Sequence, residues 1–235
     1  MEYMIVLIII ILAGIFIKNA MEIKLKDIKV IKEIGSNQTL NEITNKFPEN
    51  KEVCKEILKQ LNNETVEIEE NKDKNAKASF YMVMTNHIII ANIKDTFTRI
   101  QTIAHECAHS IQNRKTLMFN FIFSNVYILY FLTASILTIC KVIENPMSQV
   151  AILTVMGLMQ YMIRSYLETE AMTKAPYIAR KYMENEEKIE EKELEEVMHN
   201  YHEINRIGIP LVNYKLLLNV LTKVAIYCII ATIMV

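Results

Sequence analysis

From Thr102 to Gln112 the chain reads Thr-Ile-Ala-His-Glu-Cys-Ala-His-Ser-Ile-Gln, with two histidines four residues apart and a glutamate directly after the first. Residues i and i+4 share one face of an α-helix, so the imidazoles of His105 and His109 can converge on one metal ion. Glu106 projects beside them, where it can take a proton from water bound to that ion. The chemistry such a set supports is hydrolysis by metal-activated water. The bland alternative is a packed pair of structural histidines. The flanking Ile103, Ala104, Ala108 and Ile111 are apolar or small, as a helix laid against a core requires, and that context favours the metal reading.

A tetrahedral zinc site that keeps one position open for water needs a third protein ligand. Glu168 and Glu170, in the run Tyr166-Leu167-Glu168-Thr169-Glu170-Ala171, are the candidates. They lie just past an apolar span that follows a tight Glu144-Asn145-Pro146 turn, and that turn returns the chain to the level of the motif. Positions two apart point about 200° apart around a helix, so only one of the two can face the metal. Glu168 emerges first from the span. Glu170 is the alternative ligand, or a partner that holds a ligand in place. His199 and His202 are three apart on an acidic helix and read as surface residues, and His87 reads as a turn residue. Tyr166, Tyr177 and Tyr201 are chemically able to stabilise an oxyanion.

The elements that must position these groups are unevenly apolar. Of the chain, 51% is hydrophobic, and most of that lies in four blocks, residues 4–17, 117–139, 147–163 and 216–235. The last three contain a single charge, Lys223, and each can cross a hydrocarbon core that takes about 20 helical residues. The first is shorter and reads as an uncleaved anchor, because a basic start and a small-residue cleavage site are not evident. The expected division is an anchor at 1–17, a soluble segment at 18–115, a membrane hairpin at 116–167, cytoplasmic helices at 168–215 and a last span at 216–235. Lysines at 18, 24, 26, 29 and 32, with Arg114, Lys115, Arg164 and Lys174, outnumber the charges of the opposite side. The positive-inside rule therefore puts the motif in the cytoplasm and both termini outside. Cys54, Cys107, Cys140 and Cys228 show no paired spacing, so no disulfide framework is expected.

Within the soluble segment, residues 21–33 fit a strand or a short juxtamembrane helix. Residues 40–61 carry apolar positions at helical spacing, and Pro48 divides them into two short helices. A short strand is expected at 66–68. Residues 79–84 and 88–93 read as a hairpin turning at Thr85-Asn86-His87, with Asp95 as the cap of the motif helix. Later, residues 168–182 and 184–205 are helical in pattern, the second acidic and amphipathic.

The run His105-Glu106-Cys107-Ala108-His109-Ser110-Ile111-Gln112 is similar to the His-Glu-x-Gly-His-Ala-x-Gln of the YugP-type neutral zinc metallopeptidases. Glu168-Thr169-Glu170-Ala171 is similar to their Glu-x-Asp-Ala. The order of parts agrees over nearly the whole chain: anchor, motif-bearing segment, membrane hairpin, second motif and last span. Ala108, Ser110 and Glu170 depart from the usual Gly, Ala and Asp. None of these departures removes a ligand. The resemblance implies Zn2+ held by His105, His109 and Glu168, with Glu106 as catalytic base. It also implies a mostly α membrane protein of about four transmembrane helices, with a small α/β zincin-like region made of a β-hairpin and the motif helix. The expected activity is a multi-pass membrane zinc endopeptidase. Its expected partners are a peptide or protein substrate and the bilayer, not nucleic acid. A catalytically silent metal-binding scaffold is the alternative, against which an intact Glu106 argues. A transporter is disfavoured because the spans lack the charges of an ion path.

Overall fold

The structure is a computed structural model that describes residues 2–71, 73, 76, 78–93 and 96–234. It is mostly helical, with one small sheet. The elements in order are α1 (Glu2–Ala20), α2 (Leu25–Gly35), α3 (Gln38–Asn45), α4 (Asn50–Gln60), β1 (Glu67–Glu70), β2 (Phe80–Met82) and β3 (His87–Ile90). They are followed by α5 (Arg99–Ser110), α6 (Arg114–Ile139), α7 (Pro146–Glu186) and α8 (Glu191–Met234). The chain divides into two compact units, one of Met1–Ile23, Phe119–Tyr166 and Pro210–Val235, the other of Lys24–Met118 and Leu167–Ile209.

The first unit is built from apolar helix. Helices α1, α6, α7 and α8 are each long and apolar enough to cross a membrane. Segments read separately in the sequence on either side of a membrane boundary run on without a break, so α7 spans 41 residues and α8 spans 44. Tyr127, Leu153, Val224, Tyr227 and Ala231 are buried at the centre of this unit. Its side chains bond between helices, with Thr138 Oγ1 2.7 Å from Tyr227 Oη and Gln160 Nε2 donating to Ser124 Oγ at 3.1 Å.

The second unit holds the motif. Residues 25–35 settle as helix rather than strand. Pro48 separates α3 from α4, and Asn37 caps α3 by accepting from the Leu40 N–H. The sheet order is β1-β3-β2, with β1 parallel and β2 antiparallel to β3. The hairpin turns at residues 83–86, one residue or two earlier than its composition suggests. Asn86 takes the left-handed conformation at φ 54°, which Asn tolerates better than most residues. Its side chain accepts from Tyr81 Oη at 2.8 Å and donates to Thr65 O at 3.1 Å, tying the hairpin to the approach of β1. His87 is accordingly a strand residue and not a turn residue. It pairs with Glu67 and Met82 in the sheet, and its ring nitrogens lie 3.5 and 3.6 Å from the carboxylates of Glu67 and Glu69.

Helix α5 lies against this sheet and α4. Ile100, Ile103, Ala104 and Cys107 repeat at helical spacing and are fully buried among Ile57, Ile88, Ile90 and Tyr201. Burying each isoleucine contributes about 1.5–3 kcal/mol. That burial fixes the rotation of α5, leaving the face with His105 and His109 outside the core. Asp95 lies outside the described residues. The N-cap of α5 is Thr98, which makes no side-chain cap bond. The helix start is held by Arg99, buried to 1% exposure, whose guanidinium donates to the carbonyls of Thr44, Phe47 and Pro48 and to Asn50 Oδ1 at 2.8–2.9 Å. One side chain thus closes the α3–α4 turn onto α5. Cys54 and Cys107 are free and buried, with their sulfurs 3.7 Å apart.

Candidate metal centre

His105, His109 and Glu168 converge. Their ligand atoms all lie within 4.8 Å of one another. His109 Nε2 is 3.1 Å from His105 Nε2, and Glu168 Oε2 is 3.6 Å from the first histidine and 3.7 Å from the second. The rings meet edge to face at 86°, so the two nitrogens point at a common spot rather than stacking past each other. The group could hold a metal ion, and it is the one such group of three among the described residues.

The orientation of His109 is set by Gln112, three residues on and just past the end of α5. Gln112 Nε2 donates to Leu167 O at 2.8 Å and to Glu170 Oε2 at 2.9 Å. Those acceptors fix which end of the amide faces His109, leaving Gln112 Oε1 2.8 Å from Nδ1 of the ring. An amide oxygen can only accept, so Nδ1 carries the hydrogen and the Nε2 lone pair is left for a metal. The same amide grips the helix that supplies Glu168. Glu170 does not face the centre. It bonds Gln112 on one oxygen and Lys174 Nζ on the other at 2.6 Å.

The two carboxyl groups beside the histidines are pushed in opposite directions. Burial raises Glu106, and the nearby His105, His109 and the Tyr81 N–H that bonds it only partly offset that. Burial also acts on Glu168, but the close imidazoles of His105 and His109 and their charge outweigh it, holding the group well below the usual carboxylate range. His109 is lowered by burial and raised more by its bonds to Glu168 and Gln112, with a net rise. Environments that push two neighbouring carboxyl groups in opposite directions distinguish them, one held as an anion and the other more ready to hold a proton.

No family model, curated protein or solved structure matches this chain. The reading of the centre therefore rests on its own geometry.

The remaining candidates lie elsewhere. His199 and His202 are exposed on α8, and His202 packs edge to face on Tyr177 with ring centres 5.8 Å apart. Tyr201 is fully buried and spends its hydroxyl on Phe97 O at 2.8 Å. It cannot serve an oxyanion. Tyr166 and Tyr177 are exposed. Three contributors went unassigned in the sequence: Gln112, Arg99 and the Tyr81 N–H. Gln112 had a signal, since it ends the run from His105 that carries the resemblance. Arg99 and the Tyr81 backbone had none.

Proposed function

We propose that this chain is a membrane-integrated zinc metallopeptidase, with His105, His109 and Glu168 as the metal ligands and Glu106 as the general base. The observation that carries the reading is the convergence of two Nε2 atoms and a carboxylate oxygen beside a second, separately tuned carboxyl group. Zinc bonds of about 2.1 Å in a tetrahedron put neighbouring ligand atoms about 3.4 Å apart. The separations of 3.1, 3.6 and 3.7 Å bracket that value. Two histidines and one glutamate with a fourth position open is a donor set of catalytic rather than structural zinc.

Bound zinc would polarise the scissile carbonyl and make its water acidic enough to yield a nucleophile. The chain's residues supply the rest. Glu106, raised by burial, takes the water proton and returns it to the leaving amine. Gln112 keeps His109 in the tautomer that offers Nε2, and Glu168 supplies a fixed negative charge. An extended substrate can add to a free strand edge. Strand β3 is paired on both sides and cannot receive it, so of the hairpin only β2 remains. The Tyr81 N–H on β2 already reaches Glu106, which would put an added strand beside the base. The likeness to YugP-type peptidases, the cytoplasmic orientation and a membrane-protein substrate belong to this same proposal.

The test is metal content and cleavage of casein or peptides by the detergent-purified chain beside its Glu106→Gln variant. About one zinc per chain in both, with cleavage by the parent alone, is expected. Metal without cleavage in either would favour a metal-binding scaffold, and no metal in either would overturn the reading.

A further inference from the structure

Lys223 is the single charged residue in the four apolar stretches, residues 4–17, 117–139, 147–163 and 216–234. The nearest other charge on α8 is Lys215, eight residues or about 12 Å away, and eleven uncharged residues, about 16 Å of helix, follow to Met234. A four-carbon stem does not span either distance. Nor is the stem stretched toward an end. The ammonium donates to Asn219 Oδ1 and sits 5.5 Å over the Tyr127 ring, so it is held at its own level of the helix. Gly157 makes that arrangement possible. A Cβ there would collide with Val220 and come within 2.7 Å of the Tyr127 hydroxyl, so a side chain at 157 would displace the tyrosine.

An ammonium has three donors, of which Asn219 takes one and a ring face satisfies another weakly. No carboxylate is available to it in these stretches. A charge on a membrane helix without a counter-ion is costly, and such residues mark a site with an opposite partner. Beside Asn219 and Lys223, α8 shows an exposed apolar stripe of Leu218, Ile226, Ile229 and Ile233. A second helix laid along it would carry its own side chains to the level of Lys223.

We propose that this stripe receives a transmembrane helix of another protein, and that Lys223, braced by Asn219 and Tyr127, pairs with an Asp or Glu near the middle of that helix. A second copy of this chain does not fit, because a two-fold contact on this face would set Lys223 against Lys223. A lipid headgroup lies at the wrong depth. The inference is independent of the peptidase reading.

The experiment uses the full chain, labelled with a fluorescence donor, in phosphatidylcholine vesicles. Acceptor-labelled oligo-leucine transmembrane peptides carry Glu, Gln or Leu at their centre. The Glu peptide is expected to associate about tenfold more tightly than the Leu peptide, with Gln well below Glu. Lys223→Met is expected to abolish the Glu preference, and Lys223→Glu to transfer it to a Lys-centred peptide. Equal binding of Glu and Gln peptides by the parent would overturn the proposal without reference to any variant's folding. So would a Glu preference that survives Lys223→Met. Loss of the preference on adding phosphatidylglycerol would assign the lysine to lipid. Energy transfer between copies of the chain that Lys223→Met removes would assign the face to self-association.

Discussion

Replacing Gln112 separates holding the ligand helices together from tuning a ligand. The side chain is 7% exposed and makes three contacts: it accepts from His109 Nδ1, and it donates to Leu167 O and to Glu170. Gln112→Met keeps the length and removes all three. The Glu170 carboxylate is partly exposed and rehydrates, and Leu167 O keeps the bond from its own helix, but the Nδ1–H loses its partner in a buried place. One unsatisfied buried group costs about 1–3 kcal/mol, so a loss of that size in stability is expected. With its ring free to turn and its tautomer unfixed, His109 should weaken metal affinity by about 10- to 100-fold. Gln112→Glu divides the two effects. A carboxylate still accepts from Nδ1–H, so affinity should stay near that of the parent. It cannot donate to Leu167 O and it repels Glu170, so stability should fall. Chelator-competition titration of the purified chain reads the affinity, and thermal unfolding without metal reads the stability. If Gln112→Met matched the parent's affinity to within about twofold, the hydrogen bond would have no hold on His109 and the reasoning would be refuted.

The metal-free chain should show a stability optimum in mildly acid solution. His109 is raised from its ordinary 6.5, so its contribution is complete below that pH and is lost as pH climbs through the raised value. Glu168 is depressed from its ordinary 4.5, so its contribution is present above that pH and is lost as pH falls. Unfolding midpoints of chelator-treated protein should therefore drop from about pH 6.5 to pH 8, Glu168→Gln should flatten that drop, and saturating zinc should reverse it, since metal displaces the proton. A metal-free midpoint that rises over this range would refute the pairing. Arg99→Met should cost about 3 kcal/mol or more by stranding the Phe47 and Pro48 carbonyls and Asn50, while Thr44 O keeps the Phe47 N–H, with Arg99→Lys in between because an ammonium cannot reach all four. Denaturant unfolding reads both, and a loss under about 1 kcal/mol for Arg99→Met would contradict the bracing role.

The sequence alone determined what depends on neighbours along the chain. The helix under His105 and His109 follows from apolar residues at Ile100, Ile103, Ala104 and Cys107, and the same repeat dictates that both imidazoles share the outer face. The apolar stretches follow from composition, as does the break at Pro48. Where local rules competed, the outcome was not readable. Residues 25–35 could pack as helix or strand, and the hairpin turned at 83–86 because Asn86, not His87, takes the left-handed position. Tertiary structure decided whatever joins distant segments. Sequence spacing showed that only one of Glu168 and Glu170 could face the histidines. Which one does so depends on the rotation of α7 against α5, and the Gln112 bridge to Leu167 and Glu170 helps hold that rotation. The four-way grip of Arg99 has no periodic signature, since its acceptors are mostly backbone carbonyls, which every residue carries alike. The same holds for the Tyr81 N–H on Glu106: a main-chain donor becomes specific only once the fold has placed it.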